Sequence, residues 1–454
     1  MGKAFIQEST LTEIADAIRL RKGVNDTFLP SQMATALKGA TVALDVIEDG
    51  VNFYDYDGTL LYAFSKEEVL AQDESNNYTW QLPPLPDRTK ENLTNEGWNR
   101  TADSIRTYMA SNSWYLAVGC TYHTTDDITY IWMEVSENSP TRQLRIKPST
   151  ANAVIIDWGD GFRYEPIDSS SDIVVTHTYS SVKVRETFII KISCSSGTYY
   201  FPGQLCGSAD SDNEASGITK ILLSNKVTSV RSRCFCYLVD LEKITIPSSV
   251  NVHYQYLFAY TQELRHVTLA GNSNTTNIDM YGFLKATGMK SAAWNYQISP
   301  TYGFSESTIE RLSRIAGSQN ARWCYKNTRI KRLLLGVGTL KTEALMGCSS
   351  LYYLKFNGNL TTIEASAIRN CTSLVELVIP ETVTSIGGSA LAGNTSLKRL
   401  VMLPATPPTI TSTTLNGLPE DCNILIPAAY INDYMTAQYW ADYASQMRGL
   451  LVQQ

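Results

Sequence analysis

The sequence predicts a multidomain, mainly β protein whose C-terminal half is a repeat solenoid. Three observations carry this prediction. A short apolar phrase recurs: Ile218-x-x-Ile221, Leu241-x-x-Ile244-x-Ile246 and Leu264-x-x-Val267-x-Leu269 step by 23 residues, and after a gap the phrase returns at Ile330, Leu351, Leu374 and Leu397. The composition, 43% hydrophobic and 18% charged with 26 tyrosines, suits a folded β-rich chain and argues against disorder or a coiled coil. Ahead of the repeats, Val51 and Phe53, then Leu60, Tyr62 and Phe64, alternate with their neighbours as strand residues do. At 454 residues, several domains are expected.

Residues 1–45 read as a small helical module. Thr10 and Glu13 form a capping box before Leu11, Ile14 and Ile18, and Pro30 opens a second helix that ends at Gly39. Two short helices bury too little surface to stand alone, so the module is expected to dock or to oligomerise.

Residues 46–138 read as a small α+β domain. Its hairpin turns at Asp57-Gly58, as a type I′ turn, and Ser65 with Glu68 caps a short helix. An extended LPPLPDR connector (82–88) leads to a helix over Thr101–Ala110, with Ile105 and Met109 on one face. Strands at Trp114–Cys120 and Ile128–Val135 close the domain around an Asp126-Asp127 turn.

Residues 139–204 are expected to be all β, with a tight turn at Trp158-Gly159-Asp160-Gly161 and a strand at Thr187–Ser193. Residues 205–403 form the solenoid. Within a unit, Leu374, Leu377 and Ile379 point inward, Pro380 stops the strand, Val383 and Ile386 start the return, and Ala390-Leu391 fill the far side. Each unit buries its face only against its neighbours. Residues 404–454 form a C-terminal cap, with a last strand at Cys422–Ile426 and an amphipathic helix carrying Tyr430, Tyr434, Trp440 and Tyr443.

Several stretches resemble known families. Cys371–Leu397 resembles the BspA-type leucine-rich repeat nearly position for position, with Leu391 in place of the usual Phe and Asn394 in place of the usual Cys. The Asp157–Gly161 turn with His177-Thr178-Tyr179 resembles the PKD-type β-sandwich. The N-terminal LTEIADAIRLRKG and the NLTNEGWNRT tract resemble segments of tail-associated proteins from phages and prophages of Gram-positive gut bacteria, although Arg100 stands where those carry a second Trp. Asp55-Tyr56-Asp57-Gly58-Thr59 resembles the nucleophile motif of haloacid-dehalogenase-like phosphatases. That fold needs a continuously apolar parallel strand before Asp55 and strand–helix units after it, whereas the strand here alternates and Lys66 sits at a helix start.

The phage resemblance implies a virion protein: a tail fibre or receptor-binding component, non-catalytic, with the solenoid as the arm that meets host surface polysaccharide or protein. The N-terminal module would then join it to other tail or baseplate proteins and to sister copies, a trimer among the options. The alternatives are a cellular BspA-like surface adhesin and, more remotely, a hydrolase, either a phosphatase at Asp55 or a depolymerase. A virion protein is made in the host cytoplasm, which agrees with the lack of a visible signal peptide; no apolar run is long enough to span a membrane. With a net charge of -6 and no basic stripe, nucleic acid and membrane insertion are not expected.

No cofactor or metal is expected either. Asp157 and Asp160 could be calcium ligands, but the preferred reading has both accepting backbone N–H bonds within their turn. The nine cysteines lack paired spacing and read as free buried thiols, with Cys348 and Cys371 capping backbone groups at equivalent repeat positions. Residues 270–329 break the repeat rhythm, with a helix expected at Ser305–Ala316. There Trp294, Tyr296, Tyr302, Trp323 and Tyr325 are the candidate receptor-binding residues; the alternative is that they fill the core of degenerate repeats.

Overall fold

The computed structural model describes residues 46–111, 115–164, 167–168, 170–206, 217–252, 255–269, 277–278, 281–294, 297–298, 303–312, 322–356 and 359–450. The helical module expected over 1–45 lies outside them.

The first described unit is α+β. Strands β1 (Gly50–Tyr54), β2 (Leu60–Ser65), β3 (Leu93–Trp98) and β4 (Tyr115–Thr124) form a sheet in the order β2-β1-β4-β3, with β1 parallel to β4. Helices α1 (Lys66–Leu70) and α2 (Ala102–Ala110) contribute Val69, Ile105 and Met109 to a core with Val51, Phe53, Leu116 and Val118. Both start as the sequence demands, α1 with a complete Ser65–Glu68 capping box and α2 with Thr101 accepting from the Ser104 amide. The β1–β2 hairpin is present, but its turn is not type I′. That type needs two residues with positive φ, and of Asp57 and Gly58 only Gly58 has one, at 85°. Gly58 N–H donates to the Asp55 carbonyl and Asp55 N–H to the Thr59 carbonyl, so a wider turn is closed by a left-handed glycine.

The domain limit expected at 138 falls earlier. Strand β5 (Thr129–Ser136) leaves the α+β sheet, because its inward residues Ile131, Met133 and Val135 belong to a different core. It joins β6 (Thr141–Pro148), β7 (Val154–Asp157), β8 (Arg163–Tyr164), β9 (Ile173–Thr178), β10 (Arg185–Cys194) and β11 (Tyr199–Phe201) in two facing sheets. Nor is there a break near 205. Solenoid strands β12 (Ile218–Leu222) and β14 (Lys243–Thr245) extend one sheet, in the order β14-β12-β5-β10-β7-β8. Strands β13 (Val227–Val230) and β15 (Asn251–Val252) extend the other, as β15-β13-β11-β6-β9. The sandwich therefore serves as the N-terminal cap of the solenoid, and one core runs from Ile131 to Met447. A solenoid end needs such a cover, since its last unit otherwise exposes an apolar face.

The solenoid makes about nine turns. Its front strands continue with β16 (His266–Leu269), β18 (Ser291–Trp294), β20 (Arg332–Leu335), β22 (Tyr353–Phe356), β24 (Glu376–Ile379) and β26 (Arg399–Met402). Its return strands are β17 (Asn277–Ile278), β19 (Gln297–Ile298), β21 (Thr339–Leu340), β23 (Thr362–Ile363) and β25 (Ser385–Ile386), and the pairing along each row is parallel.

The third side of each turn carries one buried residue in register: Phe235, Phe258, Phe283, Phe304, Tyr325, Leu345, Ile368, Leu391 and Leu415. The first five rings stack, with centroids 5.3–6.0 Å apart and planes within 22°. Among the described residues the rung column thus continues through 270–329, at varying spacing, although the front-strand phrase lapses there. The helix expected at Ser305–Ala316 is absent from its described part. Ser305–Leu312 holds turn and irregular chain, because Ile309 and Leu312 serve as inward residues of a turn.

Cys348 and Cys371 cap interior carbonyls, of Tyr325 at 2.9 Å and Leu345 at 3.2 Å, and Asn394 accepts the Cys371 N–H at 2.8 Å. All nine cysteines are free and all but Cys194 are buried. The C-terminal segment holds two strands, β27 (Asn423–Pro427) and β28 (Met447–Leu450), around a short α3 (Ile431–Thr436) and two 3₁₀ segments, in place of one long helix. The reason is the edge: β28 pairs with β27 and covers it, which a continuous helix could not do. Tyr434 and Trp440 are buried and satisfied by the carbonyls of Pro404 and Pro408.

The α+β unit docks on the front strands. Tyr54 stacks on His266 at 5.0 Å, Arg311 donates to Glu48 at 2.7 Å, and the Ser248 amide donates to Glu96 at 2.6 Å. Gly119 sits where a Cβ would lie 2.0 Å from Thr268 Oγ1 and 2.6 Å from its Cγ2. Gly119→Ala is expected to destabilise the docked state by about 1–3 kcal/mol, as overpacking does. Thermal unfolding with limited proteolysis checks this, and adding Thr268→Gly should restore the docked state.

Candidate functional site

The five aromatic candidates do not share one location. Tyr325 is a core rung, 3% exposed and stacked on Phe304. Its role as a surface contact is therefore corrected: it packs inside. Trp323 lies two residues earlier on the turn edge, half-buried, with a left-handed φ of 60° and its indole N–H donating to Glu343 at 2.9 Å. Trp294 is in register with Leu269 on β16; its side chain, and Tyr296 and Tyr302 altogether, lie outside the described residues. In sequence Tyr302 precedes Phe304 by the same two positions as Trp323 precedes Tyr325.

That turn edge carries an aromatic stripe which sequence reasoning missed. Most described residues two before or two after a rung adopt positive φ: Arg233 and Tyr237 around Phe235, Tyr256 and Tyr260 around Phe258, and Tyr281 and Lys285 around Phe283. Later turns place Ser366, Asn370, Ser389 and Gly393 there, and of these the asparagine and the glycine suit a left-handed backbone better. Stacking compensates the tyrosines: Tyr237 lies 4.4 Å from Tyr260 and Tyr256 lies 4.4 Å from Tyr281. The signal was the rung spacing, which becomes visible only once the Phe series is aligned.

The front strand face offers the better-formed site. Along β12, β14, β16 and β18 the outward row Lys220, Lys243, His266 and Ser291 lies toward the α+β unit: Lys220 and Lys243 pair with Glu91 and Asp57, and His266 meets Tyr54. Beyond it the same face is bare. Tyr352 (48% exposed), Tyr353 (39%) and Val378 (36%) line a groove of about 370 Å³ with Lys355, Glu376 and Leu403. Arg332 lies over the Tyr353 ring at 5.3 Å, and Glu376 pairs with Arg399. An outward row holding two tyrosines and a valine is more apolar than an exposed strand face requires, and such patches mark contact sites. The Tyr352-Tyr353 pair at the variable positions of an LxxLxF unit was the available signal.

Asp55 is fully buried and both its oxygens are engaged, Oδ1 by Tyr122 O–H at 2.7 Å and the Tyr56 amide, Oδ2 by Arg88. Burial, then the neighbouring Cys120 and Asp55, pushes the Tyr122 hydroxyl well up, so it stays a donor. This network pins the Asp55–Gly58 turn at the end of β1 and leaves Asp55 no free oxygen to present. Asp157 accepts from the Gly159 amide and Asp160 from the Phe162 amide, each at 3.0 Å, and Asp160 also pairs with His177 at 2.8 Å. Both carboxylates accept a backbone N–H within their turn, as the preferred reading held, and Asp160 also reaches His177 on β9. Burial pushes the Cys348 thiol up to about 11 and that of Cys206 up to about 12. Among the described residues no three His, Cys, Asp or Glu side chains come together as a metal site. None of the described helices is long and apolar enough to cross a membrane.

Together these features describe a capped parallel solenoid with leucine-rich repeats and an open, aromatic strand face. Residues 213–321 and 318–425 match the BspA type leucine rich repeat region, in six copies, so the repeats are of the BspA type. Among solved structures, a leucine-rich repeat protein from Bacteroides ovatus ATCC 8483 is similar at 19% identity and a TM-score of 0.38. That alignment covers 51% of this chain and 66% of the other, just under two thirds of its length. No curated protein matches the chain.

Proposed function

We propose that this chain is a non-catalytic attachment protein that binds a bacterial envelope through the open strand face of its repeat arm. The observation that carries the reading is the groove at Tyr352, Tyr353 and Val378, an exposed aromatic site on the part of the face beyond the docked α+β unit. BspA-type repeats suggest a surface adhesin or binding protein, which supports the same reading. In its finer form the proposal is a phage tail fibre or receptor-binding protein, located in the virion and homo-oligomeric, with residues 1–45 joining it to the tail. The N-terminal resemblance to tail-associated proteins supports that form, as does the likeness of the sandwich turn to PKD-type domains.

The test is binding of labelled full-length chain to candidate host cells, before and after stripping of surface protein or polysaccharide. Tyr353→Ala is expected to weaken binding at least tenfold, since a central aromatic contact contributes about 2 kcal/mol or more. Unchanged binding would remove the groove from the interface. Mass spectrometry of purified virions then decides the finer reading; finding the chain only on uninfected cells would make it a cellular adhesin.

A further inference from the structure

A second groove opens where the sandwich passes into the solenoid. Its floor is flat and spans three strands: Trp132 and Tyr130 on β5 lie beside Ile189 and Lys191 on β10, and beside Lys220 and Leu222 on β12. Its wall is the 89–92 turn of the α+β unit together with Asp126, and the open cleft between them holds about 610 Å³, within the range of small-ligand sites. The two rings sit side by side, 6.0 Å apart and tilted by 37°, and both are half-buried.

The charges do not balance. Asp126 already accepts from Tyr130 O–H at 2.6 Å, from Asn92 at 2.9 Å and from the Ile128 amide at 3.2 Å. Glu91 is held by Arg88 and by Tyr56 O–H, with Lys220 at 3.7 Å. Lys90 and Lys191 are exposed, line the same groove and form no ion pair among the described residues. On a chain with net charge -6, this groove keeps spare ammonium groups while its carboxylates are used internally.

We infer that the groove binds an oligosaccharide whose rings carry an anionic group. The apolar face of a sugar ring can lie on Tyr130 and against Trp132 beside the Lys220 ammonium, which stands 4.8 Å over that indole; its hydroxyls can meet the Asn92–Asp126–Tyr130 edge, and its anion can meet Lys90 and Lys191. A nucleic-acid strand fits less well, because it needs a basic track that follows its backbone, and here the lysines are few and local. The inference does not depend on the envelope contact at Tyr353, which lies on a different part of the molecule.

Calorimetric titration of the full chain at low salt tests it, with a galacturonic acid hexamer, the neutral maltohexaose and a twelve-nucleotide oligo-dT as probes. The acidic hexamer is expected to bind saturably, at least tenfold tighter than maltohexaose, with the oligonucleotide silent. Trp132→Ala should abolish that binding, and Lys191→Glu, an exposed change that leaves the fold intact, should weaken it at least tenfold. The inference is overturned if neither hexamer binds, if both bind equally, if the oligonucleotide binds tighter, or if Lys191→Glu leaves affinity unchanged. Tyr353→Ala should leave this binding as it is, so the two sites stand or fall separately.

Discussion

Phe258→Ala is expected to destabilise the solenoid by about 3–5 kcal/mol, the cost of emptying a large, fully enclosed ring site. Phe258 is 0% exposed and lies between Phe235 at 5.4 Å and Phe283 at 5.5 Å, so its removal leaves two neighbouring turns facing a void. Collapse cannot readily close that void, because the rungs are held at the spacing of the parallel strands. Neighbouring turns of a solenoid depend on one another, so the loss should spread through the array instead of staying local. Denaturant unfolding followed by far-ultraviolet circular dichroism checks this. Phe258→Leu supplies the comparison: Leu345 and Leu391 are the native rungs of later turns, so leucine should cost clearly less than alanine. Equal stability of wild type and the alanine variant would show that the ring column is dispensable.

The repeat was legible because its physics is local. Leu377 and Ile379 must point inward at the strand period of two, Leu374 fills the turn before them, and Pro380 must end the strand, so a single unit declares its own fold. Over 270–329 the same physics was hidden. The front-strand residues there depart from the LxxLxI phrase, with Ala292 and Trp294 at the positions opposite Val267 and Leu269, while the Phe283–Phe304–Tyr325 column runs on unbroken. Reading the front strands alone turned continuous turns into a supposed helix. The course of β5 was not legible at all. Its alternation shows that it is a strand with one buried face, yet Ile131, Met133 and Val135 would suit either sheet, and the choice rests on partners 50 or more residues away. For the candidate site, composition pointed to aromatic contacts, but a tyrosine on a rung and a tyrosine beside one look alike until the rung register is known.

Acidification is expected to loosen the α+β unit from the solenoid, with His266 as the trigger. This imidazole is fully buried at the docking surface, stacked on Tyr54, with Nδ1 2.8 Å from Ser291 Oγ and Nε2 3.1 Å from Thr268 Oγ1. Burial pushes its pKa down from 6.5 to about 3, which the nearby Asp57 only partly opposes. The undocked or unfolded chain therefore takes up a proton near pH 6.5, whereas the docked chain does so only near 3. Above pH 6.5 the ring is neutral in both states and the full docking stability is present. As pH falls below 6.5 the loose state gains the proton and stability drops by up to about 1.4 kcal/mol per unit, or roughly 2 kcal/mol at pH 5. The loss continues until the pH reaches the folded value near 3. Asp57, whose carboxylate is held low by the Thr59 hydrogen bonds and Lys243 against the cost of its burial, stays ionised between pH 6.5 and 5, so it adds nothing to the response in that window. Amide exchange of Tyr115–Thr124, the strand that faces the solenoid, should rise between pH 6.5 and 5 after correction for intrinsic rates. The same strand in His266→Gln, which keeps polar atoms toward Ser291 and Thr268 but cannot titrate, should show a flat profile. Matching profiles in the two proteins would mean that His266 carries no part of the response.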